Sequence, residues 1–416
     1  MANNSAEPNA KRARNSDTDD DGDSDSEIEE GEDRLSDLPD GILIHMMTFL
    51  STKDVVCTAI LSRRWKDLCK YVRTSLVLRT SDFKFQRMKR FSEAVSNFLL
   101  LRDGSVPLLN VDLHHASTMR PDILKSVSEY AVMHNVERLR LRANTFLHLS
   151  PSVFTSQTLT SLHLSSRGHD LLPKTLRLGA LTSLHLNNFA FCAAYNDPAD
   201  HFSSCVKLKT LVIENCVIKN SRILCISNAT LVSLTIHSKD HAFGEEIVLS
   251  TPSLRSFSFF GVVTRQLSAT SNLSSLKQVT IDFDTCVERV GNPKEEMIMM
   301  VCLQSAFIII EWLKVFANIR SLTICSRTLK VLSLIPELLN TGSPRLDNLR
   351  LLIVKLRSSL ALLHKQLRAT NSEKANFRTT LVHAGVVNYL IQNSPFAEVN
   401  IIKQQCYGTK YMSFYP

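Results

Sequence analysis

Thirteen histidines and ten cysteines are the side chains from which a metal site or a nucleophilic centre would be built, and their spacing speaks against both. The cysteines, at 57, 69, 192, 205, 216, 225, 286, 302, 325 and 406, form no Cys-x-x-Cys pair, the arrangement from which cysteine zinc sites are usually assembled. His114 and His115 are adjacent, so on a strand they point to opposite faces and cannot share an ion. His163, His185 and His237 recur in strand-like positions, where a packed or solvated imidazole is expected. Acidic residues concentrate between Asp17 and Asp33, with eleven acids and no base, but such a run is not a preformed cation cage. There is no GxGxxG, no GxxxxGK followed by Ser or Thr, no HExxH and no GxSxG. The chain is therefore expected to have no catalytic residues, no metal and no cofactor, and to work through its surfaces.

Composition agrees with a folded binding protein. In 416 residues, 44% are hydrophobic and 21% charged, ordinary values for a globular chain. The net charge of +8 conceals an asymmetry: residues 1–33 hold three bases and twelve acids, 3 − 12 = −9, leaving 8 + 9 = +17 on residues 34–416. Scattered lysines and arginines without interleaved aromatics do not favour nucleic acid as a partner. The apolar run from Met297 to Ile310 is broken by Gln304, so no membrane span is expected. Cysteines in apolar patterns, such as Cys57 and Cys325, are expected to behave as small buried hydrophobes in a reducing compartment.

The first 33 residues have too little apolar material for a core and are expected to be disordered. Lys11, Arg12, Ala13 and Arg14 make a short basic cluster of the nuclear-import kind. Residues 34–75 then carry three short helical patterns. Ser36 or Asp37 is placed to cap the first, with Pro39 early in it; Ser51 or Thr52 opens the second, and Arg63 to Cys69 form a third around Trp65. Forty residues seldom bury enough surface to stand alone, so part of this apolar face needs a partner.

The run LSDLPDGILIHMMTFLSTKDVVCTAILSRRWKDL resembles the F-box. Leu38, Pro39, Ile42, Leu50, Asp54, Val55, Leu61, Ser62, Arg63, Trp65 and Leu68 match its pattern. The resemblance implies that these positions dock on the Skp1 adaptor of a cullin-based ubiquitin ligase. The apolar segment at 83–101 is spaced for an amphipathic connector helix.

Triplets of the form Leu-x-x-Leu-x-Leu then begin at Leu108, Val136, Leu159, Leu181, Leu208, Leu231, Leu254, Leu276, Ile319 and Leu349. Their spacings are 28, 23, 22, 27, 23, 23, 22, 43 and 30, inside or near the leucine-rich-repeat period of about 20–29, which places one short strand per unit on the inner face of a curved solenoid. The 43-residue step holds a helix-like stretch, Lys294 to Ala317, with Trp312 near its end. The segment Phe377 to Ile402 is similar to the ending of FBD-containing plant F-box proteins, and the whole order resembles a plant F-box/LRR-repeat protein.

The expected organisation is α+β: an acidic tail at 1–33, an F-box at 34–75, a helical connector at 76–105, a solenoid of about ten units at 106–355 and a C-terminal cap at 356–416. The expected function is a non-catalytic substrate adaptor in the nucleus or cytoplasm, bound to Skp1 and through it a cullin, with an unknown target on the repeat face. Arg140 and Arg142, Ser161 and His163, and Thr235 and His237 are the outward residues singled out there. Two alternatives stay open: a receptor on the same scaffold gated by an anionic small molecule, and a ubiquitin-independent nuclear binder of nucleic acid or acidic proteins.

Overall fold

The computed structural model describes residues 35, 37–50, 52–58, 61–71, 75–79, 95–96, 99, 108–114, 121–193, 197–238, 245–284, 295–335, 345–357, 386–387 and 389–404. The acidic tail, Cys286, Cys406 and most of the connector segment lie outside them.

Three short helices come first: α1 (Asp40–Met47), α2 (Thr52–Thr58) and α3 (Arg63–Leu68). Helix α1 starts directly after Pro39 with no side-chain cap, so Asp37 does not fill the capping role expected of it, and Ser36 lies outside the described residues. Arg64 of α3 fixes that end instead, donating from Nε to Asp40 Oδ1 at 2.8 Å and from the guanidinium to the Leu38 carbonyl at 2.5 Å. Helix α3 is capped by Ser62 Oγ accepting from Trp65 N, a bond that satisfies one orphan donor of the first turn. The helices close on a small core of Leu43, Met47, Val55, Trp65 and Leu68.

A second, larger core begins at Leu76 and runs without a break to Leu390. Its wall is a parallel sheet. Strands β1 (Ser75–Arg79) and β2 (Asn110–His114) start it, helix α4 (Pro121–Met133) follows, and β3 (Arg138–Arg142), β4 (Ser161–Leu171) and β5 (Ser183–Cys192) continue it. The next units alternate between this wall and a second parallel sheet. Strands β6 (Ala199–Asp200), β9 (Ile223–Ser227), β11 (Glu246–Ser250) and β13 (Gln266–Ala269) build the second sheet. The wall continues through β7 (Thr210–Glu214), β10 (Ser233–Ser238), β12 (Ser256–Gly261) and β14 (Gln278–Phe283), while β8 (Val217–Lys219) pairs with the end of β5. Helix α5 (Glu295–Val315), strand β15 (Ser321–Cys325), helix α6 (Ser326–Leu332), β16 (Leu351–Arg357) and β17 (Glu398–Gln404) complete the order.

The triplets explain the wall. Their last two apolar residues are two positions apart and so share a strand face. They stack in register from unit to unit: Leu139, Leu162, Leu184, Leu211, Leu234, Phe257 and Val279 form one row, and Leu141, Leu164, Leu186, Ile213, Ile236, Phe259 and Ile281 the next. All ten triplets carry a strand, and the wall extends one strand further at each end, with Leu76 and Leu78 in β1 and Val399 and Ile401 in β17. The spacings follow from what returns the chain to the wall. Steps of 22 or 23 residues between β7 and β14 each return through one short strand of the second sheet, while α4 lengthens the first step to 28 and α5 lengthens another to 43.

Turn residues fit the same scheme. Asn188 and Asn215, each following a triplet, have positive φ of 58° and 49°, a conformation Asn tolerates better than most side chains, and Asn188 Nδ2 donates to the Ser166 carbonyl at 2.8 Å. Among the described residues no helix is long and apolar enough to cross a membrane.

Candidate functional site

Two surfaces carry groups that could meet a partner. The first belongs to the three-helix unit. Of the eleven positions that match the F-box pattern, Val55, Trp65 and Leu68 face inward into the unit's own core, and Leu38 is half-buried. Pro39, Ile42, Leu50, Asp54, Leu61, Ser62 and Arg63 are exposed. Leu35, Met46 and Phe49 join them, with Phe49 77% and Leu61 65% exposed. The unit thus packs one side inward and leaves six large apolar side chains in water, more than a solvated face carries without reason. The wide apolar arc of the first helical pattern already signals Met46 and Phe49. Cys57, expected to be buried, is exposed on α2, because Val55 takes the inward position of that short helix. Its thiol is one of eight free cysteines among the described residues.

The unit is fastened to the wall. Thr52 Oγ1 accepts from Val77 N of β1 at 2.8 Å and lies 3.5 Å from the Ser75 carbonyl. Thr52 is buried, so this bond forms out of water and holds α2 against the first strand.

The second surface is the open face of the wall, made by the side chains that alternate with the buried rows. Arg140, Arg142, Ser161, His163, Thr235 and His237 all lie on it, exposed or half-buried, opposite in orientation to Leu139, Leu141, Leu162, Leu164, Leu234 and Ile236. Register puts Arg140 beside His163, and Thr235, three strands further along the wall from His163, beside Val212. Residues at the same offset in other units complete the face: Arg138, Asp112, His185, Asn187, Glu214 and Phe260. Extending one offset to every triplet is the signal that finds them.

Across the middle of this face runs a connected polar row. The His163 and His185 rings lie 4.0 Å apart, His185 Nε2 is 3.2 Å from Glu214 Oε2, and Asn187 Nδ2 donates to the same oxygen at 2.9 Å. His237 Nε2 approaches Glu214 Oε1 at 3.9 Å and its ring stacks on Phe260, centroids 4.4 Å apart at 9°. Burial, the neighbouring His185 and the cations of Arg140 and Arg142 push His163 down to about 3, so it is a neutral imidazole at ordinary pH. Burial works against the charge of Glu214, but the contact with His185 and the fields of His185, His237 and His163 outweigh it and hold the carboxyl below its usual range. No group of three or more His, Cys, Asp or Glu among the described residues is arranged to hold a metal.

With both surfaces described, comparison with known proteins gives one family match and three relatives. The F-box domain family matches residues 35–75. An F-box/FBD/LRR-repeat protein of Arabidopsis thaliana is 28% identical over 237 residues, 54% of each chain. An FBD-associated F-box protein of the same plant is 30% identical over 235 residues, 54% of this chain and 58% of that one. A further Arabidopsis F-box/FBD/LRR-repeat protein is 26% identical over 328 residues, 72% of this chain and 67% of its own length. The chain spans about half the length of the first of these relatives. The chain thus carries a matched F-box at residues 35–75 and a parallel wall of leucine-rich units, and it is similar to Arabidopsis proteins named for both features.

Proposed function

We propose that the protein is the substrate-recognition adaptor of an SCF-type ubiquitin ligase, with the three-helix unit docking on a Skp1-like adaptor and, through it, a cullin, while the open face of the wall receives a target protein. The observation that carries this reading is the exposed apolar face of the F-box, with Ile42, Met46, Phe49, Leu50 and Leu61 left largely in water beside a core that is already closed. A face of this kind gains on the order of 25 cal/mol for each Å² it removes from water, which a partner helix groove supplies. Val55, Trp65 and Leu68 act from beneath by holding the helices in place. Catalysis by the ligase is then a matter of proximity: the adaptor raises the effective concentration of a target lysine near a ubiquitin-charged enzyme. The Lys11–Arg14 cluster supports work in the nucleus as well as the cytoplasm.

Co-purification with a Skp1-like protein tests it. The wild-type chain is expected to retain the adaptor, and Ile42→Lys/Leu61→Lys to lose it with an unchanged thermal transition, because both side chains are exposed. Equal recovery from the two, or none from wild type, sinks the reading.

A further inference from the structure

We propose that the end of the open face built by β1 to β3 binds an extended acidic segment of the target protein, whose alternate carboxylates each meet one arginine of the β3 row. The proposal rests on the open face being the target surface and names the chemistry of that target.

The wall gathers cations that the sequence leaves scattered. Arg138, Arg140 and Arg142 take all three open-side positions of β3. Arg79 of β1 lies on the same side, in register with His114 and, through it, with Arg142. Arg167, which is exposed, follows the triplet of β4 at this end. The rest of the face is different. The open-side triplet positions of β4, β5, β7, β10, β12 and β14 hold no lysine or arginine, and their carboxylates are Glu214 and the buried Asp282.

Little among the described residues neutralises the arginine end. Asp112 is the one carboxylate at the open-side positions of β1 to β4. It stands 4.0 Å from Arg140, whose side chain is 54% exposed, and a long, exposed pair of this kind contributes little. Arg138 Nε donates to the neutral amide of Asn110, and His163 beside Arg140 is a neutral imidazole. Glu137 precedes the row out of phase with it. One sign of charge concentrated on one part of a face draws a partner of the other sign.

Spacing selects the partner. Alternate residues of a strand leave it about 7 Å apart, so the three guanidinium groups are strung out and do not converge. A phosphate concentrates its charge at one point and is held by several donors aimed at it. An extended peptide instead repeats its side chains on one face with the same step of about 7 Å, and each carboxylate suits the planar fork of one arginine. Single-stranded nucleic acid also spreads its charge, but its bases need aromatic platforms to stack on. Phe260 is the one Phe, Tyr or Trp at the open-side triplet positions, and it lies five strands from β3, about 24 Å across the sheet.

Fluorescence anisotropy of labelled synthetic peptides with the full-length chain tests the site. A peptide of alternating aspartate and serine is expected to bind wild type. It should bind the Arg138→Gln/Arg140→Gln/Arg142→Gln chain about ten-fold more weakly, since three exposed ion pairs sum to about that; an unchanged thermal transition checks the fold. Lys209→Gln/Arg255→Gln/Lys277→Gln removes the same charge from exposed positions outside the row and should bind like wild type. Absence of binding to wild type overturns the proposal, and so does an equal loss in both variants, which is attraction to net charge alone. A peptide with the same aspartates in one block that binds as tightly overturns the matched step. A peptide with a single phosphoserine, or a single-stranded oligonucleotide, that displaces the alternating peptide at equal charge overturns the assignment to spread carboxylates. The two readings fail separately. Wild type that binds the peptide but recovers no Skp1-like protein keeps the acidic-segment site and sinks the adaptor, while the reverse result sinks this site alone.

Discussion

His201 is buried against the rings of Phe191 and Phe202, and neither ring nitrogen has a hydrogen-bond partner among the described residues. Burial lowers its pKa to about 4, against about 6.5 in an unfolded chain. Between those values the unfolded state binds a proton that the folded state does not, so stability is full at neutral pH and falls as the pH drops from about 6.5 toward 4. The loss from this one residue is roughly 3 kcal/mol. Urea midpoints at pH 7 and pH 4.5 should therefore diverge less for His201→Leu than for wild type; equal divergence rules the effect out. Backbone geometry makes a second demand. Gly261 ends β12 at φ +122°, and a Cβ there would lie 1.8 Å from the Ser238 carbonyl oxygen. Gly261→Ala is expected to cost about 1–3 kcal/mol, read from the same midpoints. In the sequence His201 looks like an ordinary loop histidine, since neither ring that buries it is part of a triplet.

At the level of elements, the wall was legible because each strand carries its own signal: two apolar residues two apart, repeated at a near-constant period. The elements that close the core from the other side vary, and the sequence marks them less well. Helix α5 is the exception, expected at 294–317 and found at 295–315, because it is long and apolar. What it packs against could not be read locally. Trp312 is fully buried between Phe257 and Phe259, and its Nε1 donates to the Arg265 carbonyl at 2.9 Å, across 47 residues of chain. Trp312→Ala should cost about 3–5 kcal/mol, as large-to-small changes in a closed core do. Trp312→Phe, which gives up mainly the hydrogen bond and part of the ring, should cost nearer 1–2 kcal/mol. Thermal or urea unfolding separates the two, and equal losses would show that the ring packing is not what holds α5.

At the scale of the molecule, the described residues form two cores, the small one under the F-box helices and the long one under the wall, joined where Thr52 meets β1. Thr52→Val keeps the shape of the side chain but leaves Val77 N without its acceptor, at a cost of about 1–3 kcal/mol. That loss should appear at the joint. Amide exchange in α1 to α3 and β1 is expected to quicken while β7 to β12 stay protected, since local opening draws on local contacts. Uniform change along the chain would mean that the two cores unfold as one.

The sequence by itself determined the elements whose signal is local: three short helices in an F-box pattern, strands at every triplet, a long apolar helix, and a tail opposite in charge to the body. Periodicity and composition are properties of contiguous residues and survive without a fold. Only the tertiary structure decided that Val55, Trp65 and Leu68 turn inward while Phe49 and Leu61 face water, that Arg64 rather than a side-chain cap fixes the start of α1, and that His163, His185, Glu214 and His237 form one row. Those outcomes depend on partners tens of residues away, and the stacking of successive units is what brings them within a few ångströms of one another.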